Sequence, residues 1–344
     1  MRPVLTVEEM RAADAATLVH VDEATLIGRA GLAVAHGARH LMGGTYGRRV
    51  VVLAGKGNNG NDGRVAADLL ARRGARVQVL DAADPPVTLP PADLVIDAAY
   101  GTGFRGSYEA PAVAASTPVL AVDIPSGVNG DTGRATGRAL RAAGTVTFAA
   151  LKLGLLQGEG PNLAGEVNVA DIGVEIATPT IVLVDDDDVA ARLPRRGREA
   201  HKWQSAVGVV AGSPGMVGAA VLSASGASHG GAGMVRLLSP AADDSFPAPG
   251  PWPTEAVRVP IGPHGWAAAA LAGFERCAVA VVGPGLGRDE PTRAEIRHLV
   301  ARCQIPIVLD ADGLAAFDDA AQLGAAVAQE GRAVVVTPHD GEYR

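Results

Sequence analysis

The chain is poor in aromatic residues. Phe, Tyr and Trp make up 3% of its 344 residues, so its cores must be built mainly from Val, Leu and Ala. Cysteine is scarcer still, with only Cys277 and Cys303. These two show neither metal-ligand spacing nor a disulfide framework, which points to a reducing cytoplasm. No apolar run approaches the ~20 residues needed to cross a bilayer. Glu8 and Glu9 occupy the place where a signal peptide would carry its apolar core. Positive charge is in deficit, and a net charge of −7 argues against a general nucleic-acid binder. A protein with neither a membrane nor a nucleic acid as partner is expected.

What the chain does have is glycine, 44 residues of it, and a hydrophobic fraction of 48%. That combination suits buried parallel strands joined by tight turns. A length of 344 residues implies about two domains at ~150 residues each. Thr6-Val7-Glu8-Glu9 reads as a capping box that opens a helix, and a second helix runs over roughly 24–41. Strands are expected at 49–54, 76–80, 93–97, 118–123, 144–149 and 166–170, each ending near Gly, Asp or Pro. This alternation implies an α/β, Rossmann-like doubly wound domain. The pattern breaks at 178–200, where a short strand over 181–184 precedes the acidic run Asp185–Asp188, read as a solvated loop or helix start. The domain boundary is placed near 195, giving domains 1–195 and 196–344. Further strands are expected at 206–211, 233–237, 278–282, 305–309 and 333–336, and the proline-rich segment 241–256 reads as a surface loop.

The most informative stretch is Gly55-Lys56-Gly57-Asn58-Asn59-Gly60-Asn61-Asp62-Gly63, between an apolar run and a helical pattern. Strand, glycine turn and helix together point backbone N–H groups at a phosphate. Gly55, Gly57 and Gly60 match a loose dinucleotide fingerprint, and Asp81 falls where a ribose-binding acid would. An NAD(P)-dependent oxidoreductase is therefore one reading, and a non-enzymatic nucleotide-binding protein another. The oxidoreductase reading does not explain the side-chain oxygens of Asn58, Asn59 and Asp62, which suit a cation and a polar ligand.

Two further strand ends carry polar groups, Asp97–Gly106 and Asp123-Ile124-Pro125-Ser126-Gly127. In a parallel sheet the three loops share one edge. Asn59, Asp97 and Ser126 could then hold a hard cation, and N–H groups of Gly101–Gly106 could hold a phosphate. Asp123 is the candidate acid or base, because Ile124 and Pro125 would hold it rigidly.

In this order, with Thr147–Leu155 and Asp171-Ile172-Gly173, these motifs resemble the NAD(P)H-hydrate epimerase family over most of residues 4–175. The resemblance implies a Rossmann-like domain that interconverts the R and S forms of hydrated NADH and NADPH, with bound K+. It places Asn58, Asn59, Gly60, Asn61, Asp62, the run Gly101, Thr102, Gly103, Phe104, Arg105, Gly106 and Ser107, and Asp123 on the substrate. It places Asn59, Asp97 and Ser126 on potassium. Asn61 stands where the family usually has Gly, and Leu151 where it often has Pro. The hydrate is a hemiaminal whose carbinol centre inverts by loss and return of water or by ring opening. Either route needs a proton shuttle, and Asp123 beside an oriented water would serve.

Beyond residue 200 the motifs are His201-Lys202, Gly212–Ala220, Gly283-Pro284-Gly285-Leu286-Gly287, Leu309–Leu314 and Thr337–Glu342. Together they resemble the ADP-dependent NAD(P)H-hydrate dehydratase family, a ribokinase-like fold, over roughly 198–344. The resemblance implies a nucleotide, ADP or ATP with Mg2+, that phosphorylates the hydrate hydroxyl before phosphate leaves. It places Ala219, Gly285 or Gly287, and His339 on the substrate. Trp203-Gln204 departs from the family's usual continuation of His-Lys. A later Gly-Thr-Gly-Asp turn of that family does not occur before Arg344, so an incomplete dehydratase domain without phosphoryl-transfer activity is expected. A homo-oligomer is also expected.

Overall fold

Thr6 starts the first helix by a reciprocal cap. Its hydroxyl accepts from Glu9 N at 3.2 Å, and the Glu9 carboxylate accepts from Thr6 N at 2.8 Å, which satisfies two donors the helix end would otherwise leave unpaired. The computed structural model describes residues 1–193, 195–240, 255–328 and 331–343. They fall into two compact units, Met1–Leu193 and Pro194–Arg344.

The first unit runs β1 (Arg2–Leu5), α1 (Val7–Thr17), α2 (Glu23–Met42), β2 (Arg49–Ala54), α3 (Asn58–Arg72), β3 (Arg76–Asp81), β4 (Leu94–Ala98), β5 (Tyr108–Glu109), β6 (Val119–Val122), β7 (Gly137–Arg138), β8 (Gly144–Phe148) and β9 (Leu151–Lys152). The short α4 (Leu153–Leu156) and α5 (Gly160–Ala164), β10 (Glu166–Ala170), β11 (Ile181–Leu183) and α6 (Asp186–Arg192) complete it. Six strands form one parallel sheet in the order β10-β8-β6-β4-β2-β3. Every residue of β4, β6 and β8 is buried, as expected of apolar strands without alternation that are covered on both faces. Each fully buried Val, Leu or Ile there contributes roughly 1.5–3 kcal/mol. α2 covers one face through Leu26, Ala30, Val34, Ala38 and Met42, spaced four apart, and it stops at Gly43 in the left-handed conformation.

The strand order fixes where a ligand can sit. From β2 the chain first steps outward to β3 and then returns to place β4 on the other side of β2. The loops after β2 and β4 therefore leave the sheet in opposite directions and open a crevice at their carboxyl ends.

The second unit repeats this plan. β12 (Ala206–Val210), α7 (Val217–His229), β13 (Met234–Ser239), β14 (Ala256–Pro260), α8 (Trp266–Gly273), β15 (Val279–Val282), α9 (Glu290–Arg302), β16 (Ile307–Leu309), α10 (Asp312–Ala315), α11 (Ala320–Val327) and β17 (Val334–Val336) follow in turn. Its parallel sheet is ordered β14-β13-β12-β15-β16-β17. The reversal here lies between β12 and β15, so the loops after those strands meet.

Several local expectations change. Asn58–Asp62 is not a loop, because Gly57 caps α3 and the polar residues occupy the helix's first turn. Of the two readings of the acidic run the helix start holds: it opens α6, with Asp185 accepting from Asp188 N, and Asp188 pairs with the terminal amine of Met1 at 2.5 Å. The short strands β1, β5, β7 and β9 were not expected. The expected loop 241–256 lies almost wholly outside the described residues, and its last residue, Ala256, begins β14. No helix among the described residues is long and apolar enough to cross a membrane.

Candidate functional site

A cavity of about 520 Å³ opens at the crevice of the first unit, lined by residues from α1, α2, the start of α3 and the ends of β4, β6 and β8. Its central pair comes from two adjacent strands that end in the same way. After β6, Ile124 N donates to the Val122 carbonyl at 2.9 Å, closing a three-residue turn around Asp123 at φ 68°. After β8, Ala150 N donates to the Phe148 carbonyl at 2.7 Å around Ala149 at φ 64°. Such turns are strained for residues that carry a Cβ and persist where the surrounding structure imposes them. The first holds Asp123 itself, and the second delivers Lys152.

Lys152 Nζ lies 2.8 Å from Asp123 Oδ1. It also donates to Thr147 Oγ1 at 2.9 Å and to the Phe148 carbonyl at 2.7 Å, so all three ammonium protons have partners. Asp123 Oδ2 accepts from Thr102 N at 2.9 Å and Thr102 Oγ1 at 2.5 Å. Burial works against charge on Asp123, but Lys152 and Thr102 outweigh it and hold the carboxyl below its ordinary range. A Cβ on Gly101 would lie 3.1 Å from both Asn59 Oδ1 and Asp123 Oδ2, so a side chain here would press on both polar groups.

Three further carboxyls, Asp14, Glu23 and Asp62, line the same space. Asp62 is 6% exposed and is pushed up to about 8 by burial and by the charges of Asp123 and Asp14. Asp14 is raised by burial, which Lys152 offsets in part. The same cavity thus carries one carboxyl that burial holds in its protonated form and one that Lys152 and Thr102 hold in its ionised form, the division of roles that acid–base chemistry needs.

Beneath the cavity, Asp97 is wholly buried. Its Oδ1 accepts from Ser126 Oγ at 2.6 Å and its Oδ2 from Ser126 N at 3.0 Å. Burial raises its pKa, with the Ser126 bonds opposing; no cationic side chain among the described residues pairs with it. Asn59 Nδ2 is buried without a hydrogen-bond partner. An amide turned by 180° would offer oxygen in place of that orphaned nitrogen. A buried carboxyl lacking a counter-charge, a hydroxyl and a reversible amide offer oxygens of the kind a hard monovalent cation takes.

Of the residues expected at the substrate, Asn58, Asn59, Asp62, Gly101, Thr102, Gly103, Phe104 and Asp123 line the cavity. Gly60, Asn61, Arg105, Gly106 and Ser107 do not. Gly60 packs under the β2 turn, where a Cβ would come within 2.0 Å of the Gly55 carbonyl oxygen. Asn61 Oδ1 instead accepts from Arg64 at 3.4 Å, and Ser107 Oγ donates to the Thr136 carbonyl at 3.5 Å. Asp81, the ribose acid of the oxidoreductase reading, accepts from Ala83 N in its own loop and stands outside the cavity. Arg11, Asp14 and Lys152 line it without having been expected there. Lys152 had a signal, as the single charge in the apolar run 144–156.

In the second unit the loops after β12 and β15 meet as the topology requires. Gly212 N donates to the Pro284 carbonyl and Ser213 Oγ to the Gly285 carbonyl, both at 2.8 Å. A Cβ on Gly285 would lie 2.8 Å from the Ala219 Cβ, so these two positions are neighbours. Asp312 does more than cap a turn, since it accepts from Gly287 N at 3.0 Å and Arg288 Nε at 2.7 Å and so ties β16 to the same loop. His339 is exposed, 3.4 Å from Glu342.

Two family models match separate parts of the chain. The profile of a family described as YjeF-related protein N-terminus matches residues 23–90 and 80–154. That of the NAD(P)H-hydrate dehydratase family matches 207–344. The bifunctional NAD(P)H-hydrate repair enzyme Nnr of Moorella thermoacetica is 35% identical over 369 residues, covering 92% of this chain and 69% of that protein. Its namesake in Mycobacterium tuberculosis is 36% identical over 375 residues, covering 100% and 74%. Among solved structures, an ADP/ATP-dependent NAD(P)H-hydrate dehydratase from Bacillus subtilis, crystallised with ATP and Mg2+, aligns with TM-score 0.33–0.34 at 24–25% identity over 46% of this chain and 52–53% of that one. On the length and identity of the matches to the repair enzymes, the chain belongs to the family of bifunctional NAD(P)H-hydrate repair enzymes.

Proposed function

We propose that the cavity of the first unit interconverts the R and S hydrates of NADH and NADPH, with Asp123 as the catalytic residue. The observation that carries this reading is the buried Asp123–Lys152 pair in a cavity that Asp62 also lines. Epimerisation at a hemiaminal carbon needs no redox group and no nucleophile. It needs one group that gives a proton to the departing hydroxyl and another that steadies the cationic ring and receives the proton of returning water. Asp62, protonated at neutral pH, suits the first role and Asp123 the second. Lys152 keeps Asp123 ionised in a site whose burial would otherwise neutralise it.

Asn59, Asp97 and Ser126 would hold potassium, which when bound supplies the counter-charge that Asp97 lacks. We assign the epimerase domain to 1–195 and the dehydratase domain to 196–344. In the latter, Ala219, Gly285, Gly287 and His339 are assigned to the hydrated substrate, and the glycine loops after β12 and β15 to ADP or ATP with Mg2+. The switch-point meeting of those loops supports that placement. Two free, buried cysteines support a cytoplasmic location. The test is to mix the full chain with separated R and S hydrates in potassium buffer and follow them by chromatography. Interconversion well above the spontaneous rate is expected, and exchange no faster than buffer alone would refute the reading.

A further inference from the structure

α1 lies outside the residues that either family profile matches, yet Val7, Met10, Arg11 and Asp14 all line the cavity. Val7 and Met10 are buried and anchor the helix. Arg11 and Asp14 stand three residues apart, so both project from one side of it. They form no ion pair with each other among the described residues. Asp14 is coupled instead to Lys152 and Asp123.

Arg11 points elsewhere. One of its guanidinium nitrogens, Nη2, lies 3.6 Å from where a Cβ on Gly103 would be, over the turn Gly101–Phe104. It is exposed and has no hydrogen bond or ion pair among the described residues. Lys56, also unpaired, lines the same cavity, next to the α3 start, where Gly57 leaves the first N–H groups without a side-chain cap. Four carboxyls line the cavity, Asp14, Glu23, Asp62 and Asp123. Glu23 accepts from Asn58 Nδ2 at 2.8 Å and Asp123 is held by Lys152 and Thr102, whereas Arg11 and Lys56 are cations lining the same space with no partner among the described residues.

We propose that Arg11 clasps the diphosphate of the hydrated dinucleotide against the Gly101–Phe104 turn, making α1 the element that selects the dinucleotide over phosphate-free forms. This rests on the epimerase reading above. A planar guanidinium presents paired donors matched to phosphate oxygens, which a lysine cannot reproduce. With the diphosphate held there, the hydrated ring extends towards Asp123 and Asp62.

The test uses the full chain as wild type, Arg11→Ala and Arg11→Lys, with two substrates, NADH hydrate and the hydrate of reduced nicotinamide riboside, which has the same ring and no phosphate. Arg11→Ala should raise KM for NADH hydrate roughly tenfold to a hundredfold with kcat little changed. It should leave kcat/KM for the riboside hydrate as in wild type, and Arg11→Lys should recover only part of the loss. Equal losses on both substrates, or none on NADH hydrate, would overturn the proposal while leaving the epimerase reading intact. Calorimetric titration with ADP-ribose, which carries the diphosphate without the ring, reads Arg11 independently of turnover. Binding at least tenfold weaker in Arg11→Ala supports the clasp, and equal binding refutes it. A wild type inactive on both hydrates would count against the epimerase reading alone.

Discussion

Lys152 Nζ sits 2.8 Å from Asp123 Oδ1, and the two side chains are 1% and 14% exposed. Each is delivered by a strained turn at the end of neighbouring strands β6 and β8. Removing one member leaves the other charge buried and unpaired, which costs about 3–5 kcal/mol. Lys152→Met should therefore lower unfolding free energy by that order in urea titrations and raise the Asp123 pKa, shifting the acidic limb of the epimerisation profile upward. Unchanged stability with an unchanged profile would show that the pair does not set the Asp123 charge.

Asp62 gives a pH dependence of definite sign. The native state keeps its proton up to about 8, whereas the unfolded chain releases it near 4. The stability this group contributes is therefore complete below 4 and is lost as pH rises towards 8 and through it. Asp62→Asn carries no such proton. Between pH 6 and pH 9 the wild type should lose about 3 kcal/mol relative to this variant, as read by denaturant melts at both pH values. Parallel losses in the two proteins would place the Asp62 pKa in the ordinary range.

The buried Asp97 predicts a cation effect. Replacing potassium with a bulky organic cation should lower the melting temperature of the wild type by several degrees. Asp97→Asn, which has no charge to neutralise, should melt at the same temperature in both buffers. A potassium shift of the same size in Asp97→Asn would remove Asp97 from the site.

Gly60 tests the packing under the β2 turn. A methyl there would meet the Gly55 carbonyl oxygen at 2.0 Å, which nothing short of backbone movement relieves. Gly60→Ala should cost about 3 kcal/mol or more and reduce epimerisation with it, measured by thermal melts. A variant as stable as wild type would mean that the turn has room to shift.

Much of this was legible in the sequence. Apart from β14, the parallel strands of the two main sheets were legible because each is a short apolar run ended near Gly, Asp or Pro, and the polar strand ends fell on one edge because parallel strands share a direction; β14 follows directly on the proline-rich segment, which hid it. The two-residue strands β5, β7 and β9 carry no periodicity to read. Asn58–Asp62 looked like a loop because Asn and Gly are poor helix formers, yet Gly57 and the following orphan N–H groups start a helix there. Arg11 and Asp14 were out of reach for a different reason. They lie some ninety residues or more before Gly103, Asp123 and Lys152, and only the docking of α1 brings them together. For Lys152, a lone charge in an apolar run signalled a buried partner without naming Asp123.

The most direct measurement is the rate of R-to-S exchange of NADH hydrate by wild type and by Asp123→Asn, with circular dichroism confirming that both are folded. The account predicts rapid exchange by the wild type and a loss of at least about 100-fold in the variant. A folded Asp123→Asn protein that epimerises at near wild-type speed would contradict it.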